Sequence, residues 1–96
     1  MTSLWSVGIA VAGEEVMTLQ RISDLADAVA PSGGIASGIG QAGYGVTVLV
    51  EAADREAAIA EATAILRTAA RQANLPEWPV SRVEATSEEE AYAQPD

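Results

Sequence analysis

The sequence predicts a single α+β domain in which the elements run βαββαβ. Three observations carry that reading: apolar residues alternate with a period of two over residues 4–12 and 44–51, they recur at helical spacing over 18–30 and 54–74, and clusters of glycine or proline separate these stretches. With 96 residues, 49% of them hydrophobic, the chain has material for one core. A domain of this size buries only roughly 60–65% of its unfolded surface, so self-association is an expected source of further burial.

The first strand, 4–12, sets Trp5, Val7, Ile9 and Val11 on one face and Ser6, Gly8 and Ala10 on the other, and Gly13-Glu14-Glu15 is expected to end it. The first helix, 18–30, has Thr18 as N-cap, an apolar stripe of Leu19, Ile22, Leu25, Ala26 and Val29, and a stop at Ala30-Pro31-Ser32-Gly33-Gly34. Ile35, Ser37 and Ile39 keep a period of two and predict a second strand, which turns near Gly40-Gln41-Ala42-Gly43. The third strand alternates Tyr44, Val46, Val48 and Val50 with Gly45, Thr47 and Leu49, ending at Glu51.

Asp54 is placed to cap the second helix, and Glu56 in the first turn favours the positive end of its dipole. Its stripe is Ala58, Ile59, Ala62, Ile65, Leu66, Ala69 and Ala73, a small-residue face suited to close packing on a sheet, and Asn74 ends it. Pro76 and Pro79 make 75–79 a rigid connector, because proline lacks the N–H a helix needs and restricts the residue before it. A last strand, 80–85, follows. The domain is thus expected to span 1–86, and 87–96, where Ser87-Glu88-Glu89-Glu90 has capping-box spacing, to form an acidic tail or short helix.

This order has a familiar solution, the ferredoxin-like sandwich: an antiparallel sheet arranged 4-1-3-2 with both helices on one face and right-handed crossovers. The other face would then carry Leu4, Ser6, Gly8, Ala10, Thr47, Leu49, Val80 and Arg82.

Composition removes whole classes of chemistry. Fourteen acidic residues against five arginines, with no lysine, give a net charge of −9. Binding to a phosphate backbone needs cations that displace counterions, so neither nucleic acid nor an anionic membrane is an expected partner. With no cysteine and no histidine, there is no thiolate, imidazole or sulfur metal site, and neither a histidine-based triad nor a Ser–Lys pair can be assembled. No catalytic, metal-binding or cofactor-binding residues are therefore assigned. Met1-Thr2-Ser3-Leu4-Trp5 lacks the basic and apolar regions of a leader peptide, and a cytoplasmic location is the expectation.

Two motifs invite chemistry and decline it on context. Gly38-Ile39-Gly40-Gln41-Ala42-Gly43 matches the dinucleotide fingerprint G-x-G-x-x-G, but a strand follows it where a helix is required, so a hairpin is expected. Glu14-Glu15 and Glu88-Glu89-Glu90 lack the spacing and companion oxygens of a calcium loop and read as solvated surface. Of the aromatic residues, Trp5 and Tyr44 belong to core faces. Trp78, between prolines, plugs the end of the core or anchors a partner.

The run from Leu75-Pro76-Glu77-Trp78-Pro79 through Ser87-Glu88-Glu89-Glu90, with the third strand and Val50-Glu51-Ala52-Ala53-Asp54, resembles small ferredoxin-like proteins of high-GC actinobacteria. The resemblance covers the second half of the chain and brings no activity and no catalytic residues with it. The function expected is a non-enzymatic protein-interaction module, homodimeric through Leu4, Ala10, Thr47, Leu49, Val80 and Arg82. It would meet another protein through Trp78, Glu88, Glu89 and Glu90, in one form as an acidic inhibitor or antitoxin of a basic surface. The alternative is a small-molecule sensor domain.

Overall fold

A computed structural model describes residues 2–87. Four strands and two helices follow one another as β1 (Ser3–Val16), α1 (Leu19–Val29), β2 (Ile35–Ser37), β3 (Ala42–Ala52), α2 (Arg55–Gln72) and β4 (Val80–Ser87), with a 3-10 turn at Ala30–Ser32 after α1. The strands form one sheet in the order β2-β3-β1-β4, and every neighbouring pair is antiparallel.

The register explains how alternation becomes a core. Val7 pairs with Val48, Ile9 with Val46 and Val11 with Tyr44, so the odd row of β1 and the even row of β3 share one face. Those side chains are buried in a single cluster with Ile22, Leu25 and Val29 of α1 and Ala58, Ala62, Leu66 and Ala69 of α2. Both helices therefore cover the same face of the sheet. The alanines of α2 bring its backbone close to the strands, and Leu66 supplies the bulk between them.

Local chemistry sets the helix ends. Thr18 Oγ1 accepts a 3.2 Å hydrogen bond from the Arg21 amide, and Asp54 Oδ1 accepts one of 2.8 Å from the Ala57 amide, each satisfying a donor that the first helical turn leaves unpaired. Glu56 in the first turn of α2 and Arg71 in its last complement the helix dipole. Pro31 turns the chain out of α1, and Asn74, in the left-handed region at φ 56°, turns it out of α2.

Four sequence expectations are corrected. Strand β1 continues through Gly13-Glu14-Glu15 to Val16, regaining its pairing at Val16 with Ala42 after an irregularity that begins at Ala12. The carboxylates lie on an exposed overhang, where polar side chains carry no penalty that would end a strand. Strand β2 stops at Ser37, because Gly38, Gly40 and Gly43 adopt positive φ and build the turn, leaving Ile39 to make one parallel bridge to Met17. Gly43 is obligatory there: at φ 125°, an added Cβ would lie 2.3 Å from the carbonyl oxygen of Val11.

Strand β4 runs on to Ser87, which is buried, so the boundary expected after residue 86 falls inside a strand. Finally, the β1–β4 register slips between Ala10 and Val11. Val80 thus stands opposite the buried Val11 and not in the row of Ala10 and Arg82 on the other face.

Candidate functional site

Among the described residues, no helix covers one face of the sheet. On β1 that face carries Leu4, Ser6, Gly8 and Ala10, and the paired positions of β3 add Glu51, Leu49, Thr47 and Gly45. Strand β4 contributes Thr86, Glu84 and Arg82 opposite Ser6, Gly8 and Ala10, while β2 places Ile35 beside Thr47 and Ser37 beside Gly45. Of the residues expected here from sequence, Leu4, Ala10, Thr47, Leu49 and Arg82 share the surface, and Val80 does not.

Apolar and polar residues divide this face. Leu4, Leu49 and Ile35 are 38%, 47% and 68% exposed, and Leu49 pairs with Ser6 while Leu4 pairs with Glu51. Towards the other end lies a shallow depression of about 230 Å³, lined by Gly8, Ala10, Ser37, Gly45, Thr47, Arg82 and Glu84. Arg82 and Glu84 stand side by side at 3.6 Å, both largely in solvent. A pair so exposed contributes less than about 1 kcal/mol to stability and leaves both groups able to turn to other partners.

Gly8 lines the depression, and the fold does not require a glycine there. An added Cβ would come no nearer than 3.5 Å to Thr47 Oγ1 and 4.0 Å to the Glu84 carbonyl, which is ordinary contact. Glycine inside a strand costs roughly 0.5–1 kcal/mol relative to alanine and commonly marks the close approach of another backbone or a ligand.

Next to the Ala10–Gly45 pair, this same end of the sheet is closed by the connector. Tyr44 donates a 2.7 Å hydrogen bond to the Pro76 carbonyl, Arg67 Nη1 donates one of 3.1 Å to the Trp78 carbonyl, and the Tyr44 and Trp78 rings lie tilted with centroids 5.9 Å apart. Trp78 is half-buried against the core cluster and leans so closely on Gly13 that a Cβ there would fall 2.0 Å from its ring. Burial raises the Tyr44 pKa above its usual value, the Arg67 charge lowers it in part, and Glu77 reinforces the rise.

A second depression of about 510 Å³ beside this corner is lined by Glu15, Arg21, Arg71, Asn74, Leu75 and Pro76. Its cations are matched within the chain: Arg21 bonds Glu15 at 2.9 Å, and Arg71 lies 3.7 Å from Glu77. Among the described residues, no group of three or more acidic side chains is placed to hold a metal ion, and no helix is long and apolar enough to cross a membrane. Glu88, Glu89 and Glu90 lie outside the described residues.

Sequence reasoning missed Ile35 and Glu84 on the open face and Met17 in the core, where it is 1% exposed. Parity gave a usable signal for Glu84, since it lies two residues from Arg82 on the same strand. Ile35 had none, because its face depends on the length of the glycine turn. Met17 is set by backbone bonds: its N–H donates to Gln41 O at 2.9 Å, and its carbonyl accepts from the Gly40 amide at 2.8 Å. No family model matches the chain, and comparison with curated proteins and with solved structures gives no significant match.

Proposed function

We propose that this chain is a ferredoxin-like, non-enzymatic protein-interaction module that works as a homodimer and offers its uncovered sheet face as a binding surface. The observation that supports the reading is that face itself: exposed Leu4, Ile35 and Leu49 share it with a depression lined in part by a glycine that the backbone does not demand. Exposed apolar side chains grouped on one face mark interaction surfaces more often than scattered ones do. The net charge of −9 favours a partner with a basic surface, as an acidic inhibitor or antitoxin would meet.

Light scattering at micromolar concentrations tests the homodimer. The expected result is twice the chain mass, and a mass of one chain across the concentration range overturns self-pairing.

The depression also favours a second reading, a small-molecule sensor in which the Ser37 and Thr47 hydroxyls and Arg82 hold a polar ligand. A true ligand raises the melting midpoint in proportion to the logarithm of its concentration, and a metabolite panel that leaves the Tm unchanged removes this reading for the compounds tried.

A further inference from the structure

The two edges of the sheet are unequal. Strand β2 is three residues long and is cut short by the glycine turn. Strand β4 is eight residues long, has no proline within it, and departs from regular pairing only at its start. An edge strand of that length presents a row of backbone donors and acceptors ready for another strand, and proteins ordinarily blunt such edges. The helix layer also stops short of it: Val83 stands opposite the buried Ile9 yet is 37% exposed, and Val80, opposite the buried Val11, is 36% exposed.

We propose that the seam of the homodimer is this edge, with β4 pairing antiparallel to β4 of a second copy about a two-fold axis through Val83, joining the two sheets into one. The inference rests on the homodimer reading and moves its seam from the sheet face expected from sequence, around Leu4, Ala10, Thr47 and Leu49, to this edge. Its specificity comes from charge. An axis perpendicular to the sheet keeps outer rows beside outer rows, so the middle of β4 meets itself with the axis at Arg82, at Val83 or at Glu84.

An axis at Arg82 sets two arginines opposite each other, and one at Glu84 sets two glutamates opposite each other. The axis at Val83 places each Arg82 opposite the second copy's Glu84 and packs Val83 on Val83 at the helix side. Opposite charges across a strand pair are favourable and like charges unfavourable, so the sequence of β4 selects one register. The exposed Arg82–Glu84 pair of one chain would become part of a four-membered alternating row. The uncovered faces of both copies would lie side by side, free for a partner.

Two sets of variants test the seam. The chain has no cysteine of its own, and directly paired antiparallel residues have Cα atoms about 4.5–5.5 Å apart, within disulfide range. Val83→Cys is therefore expected to give a disulfide-linked dimer under mild oxidation, whereas Leu49→Cys on the open face is not. Arg82→Glu and Glu84→Arg, each with an unchanged circular dichroism spectrum, are expected to weaken dimerisation about tenfold, and the double reversal to restore it, because the pairing is then recreated with the signs exchanged.

A wild-type dimer that Leu49→Cys cross-links and Val83→Cys does not, or one indifferent to both single reversals, overturns the edge seam while the homodimer stands. A wild-type monomer removes the homodimer reading and the seam together.

Discussion

The two rows of strand β1 are made by the same backbone and do opposite work. Towards the helices, Val7, Ile9 and Val11 are all at most 3% exposed and meet valines or Tyr44 across the strand pair. Towards solvent, Ser6, Gly8 and Ala10 offer little bulk, and Leu4 stands 38% exposed at the end. The inner row is filled with β-branched residues because it must close a core against two helices. The outer row contributes almost nothing to that core, so its residues are free to be chosen for what approaches from outside.

Substitutions on the two sides of the sheet should therefore separate by size. The largest effect is expected in the helix-facing core: Leu66→Ala or Leu25→Ala, both essentially unexposed, should cost about 2–5 kcal/mol in denaturant unfolding. A surface change such as Ser6→Ala should stay within about 0.5 kcal/mol. Next come two glycines on the paired strands, Gly43 of β3 and Gly8 of β1. Gly43→Ala should cost about 1–3 kcal/mol, since φ is 125° and the new methyl meets the Val11 carbonyl. Gly8→Ala should be neutral or stabilise by up to about 1 kcal/mol; an equal loss at both positions would abolish the claim that Gly8 is unforced.

At the closed end, Tyr44→Phe removes the hydrogen bond to Pro76 and should cost about 1 kcal/mol.

The smallest effect is a pH dependence. Burial raises the Tyr44 pKa, so the folded state holds its proton more tightly than the unfolded chain does. Its contribution is complete below the ordinary tyrosine value of 10.0 and declines as pH rises through the folded value. The Tm should fall more steeply above pH 10 in the native sequence than in Tyr44→Phe.

Periodicity made most of the fold legible. The alternation in β1 and β3, the caps at Thr18 and Asp54 and the alanine stripe of α2 are local patterns with local causes, and each lies where the sequence places it. What escaped depends on pairing across distance. Glu14 and Glu15 resembled a strand end because polarity ordinarily marks turns, whereas the partner across the gap, Ala42, holds the strand together. Val80 falls outside the row that alternation predicts because one residue of slippage reverses parity, and no local signal announces a bulge. On the candidate face, Leu4, Ala10, Thr47, Leu49 and Arg82 follow from alternation alone, while Ile35 required the length of a turn.

The placement of β1 between β3 and β4 governs how the chain comes together in time. Trp5 pairs with Ser87, and Ser3 with Ala52, so the central strand completes its hydrogen bonds only with segments far away in sequence. Closing such long loops delays the reward of pairing, and folding on the scale of milliseconds or slower is expected from this topology. Until β4 docks, β1 is itself an open edge. A chain shortened ahead of β4 should thus expose a long apolar strand and aggregate, while one lacking only β2 should lose little more than a short rim.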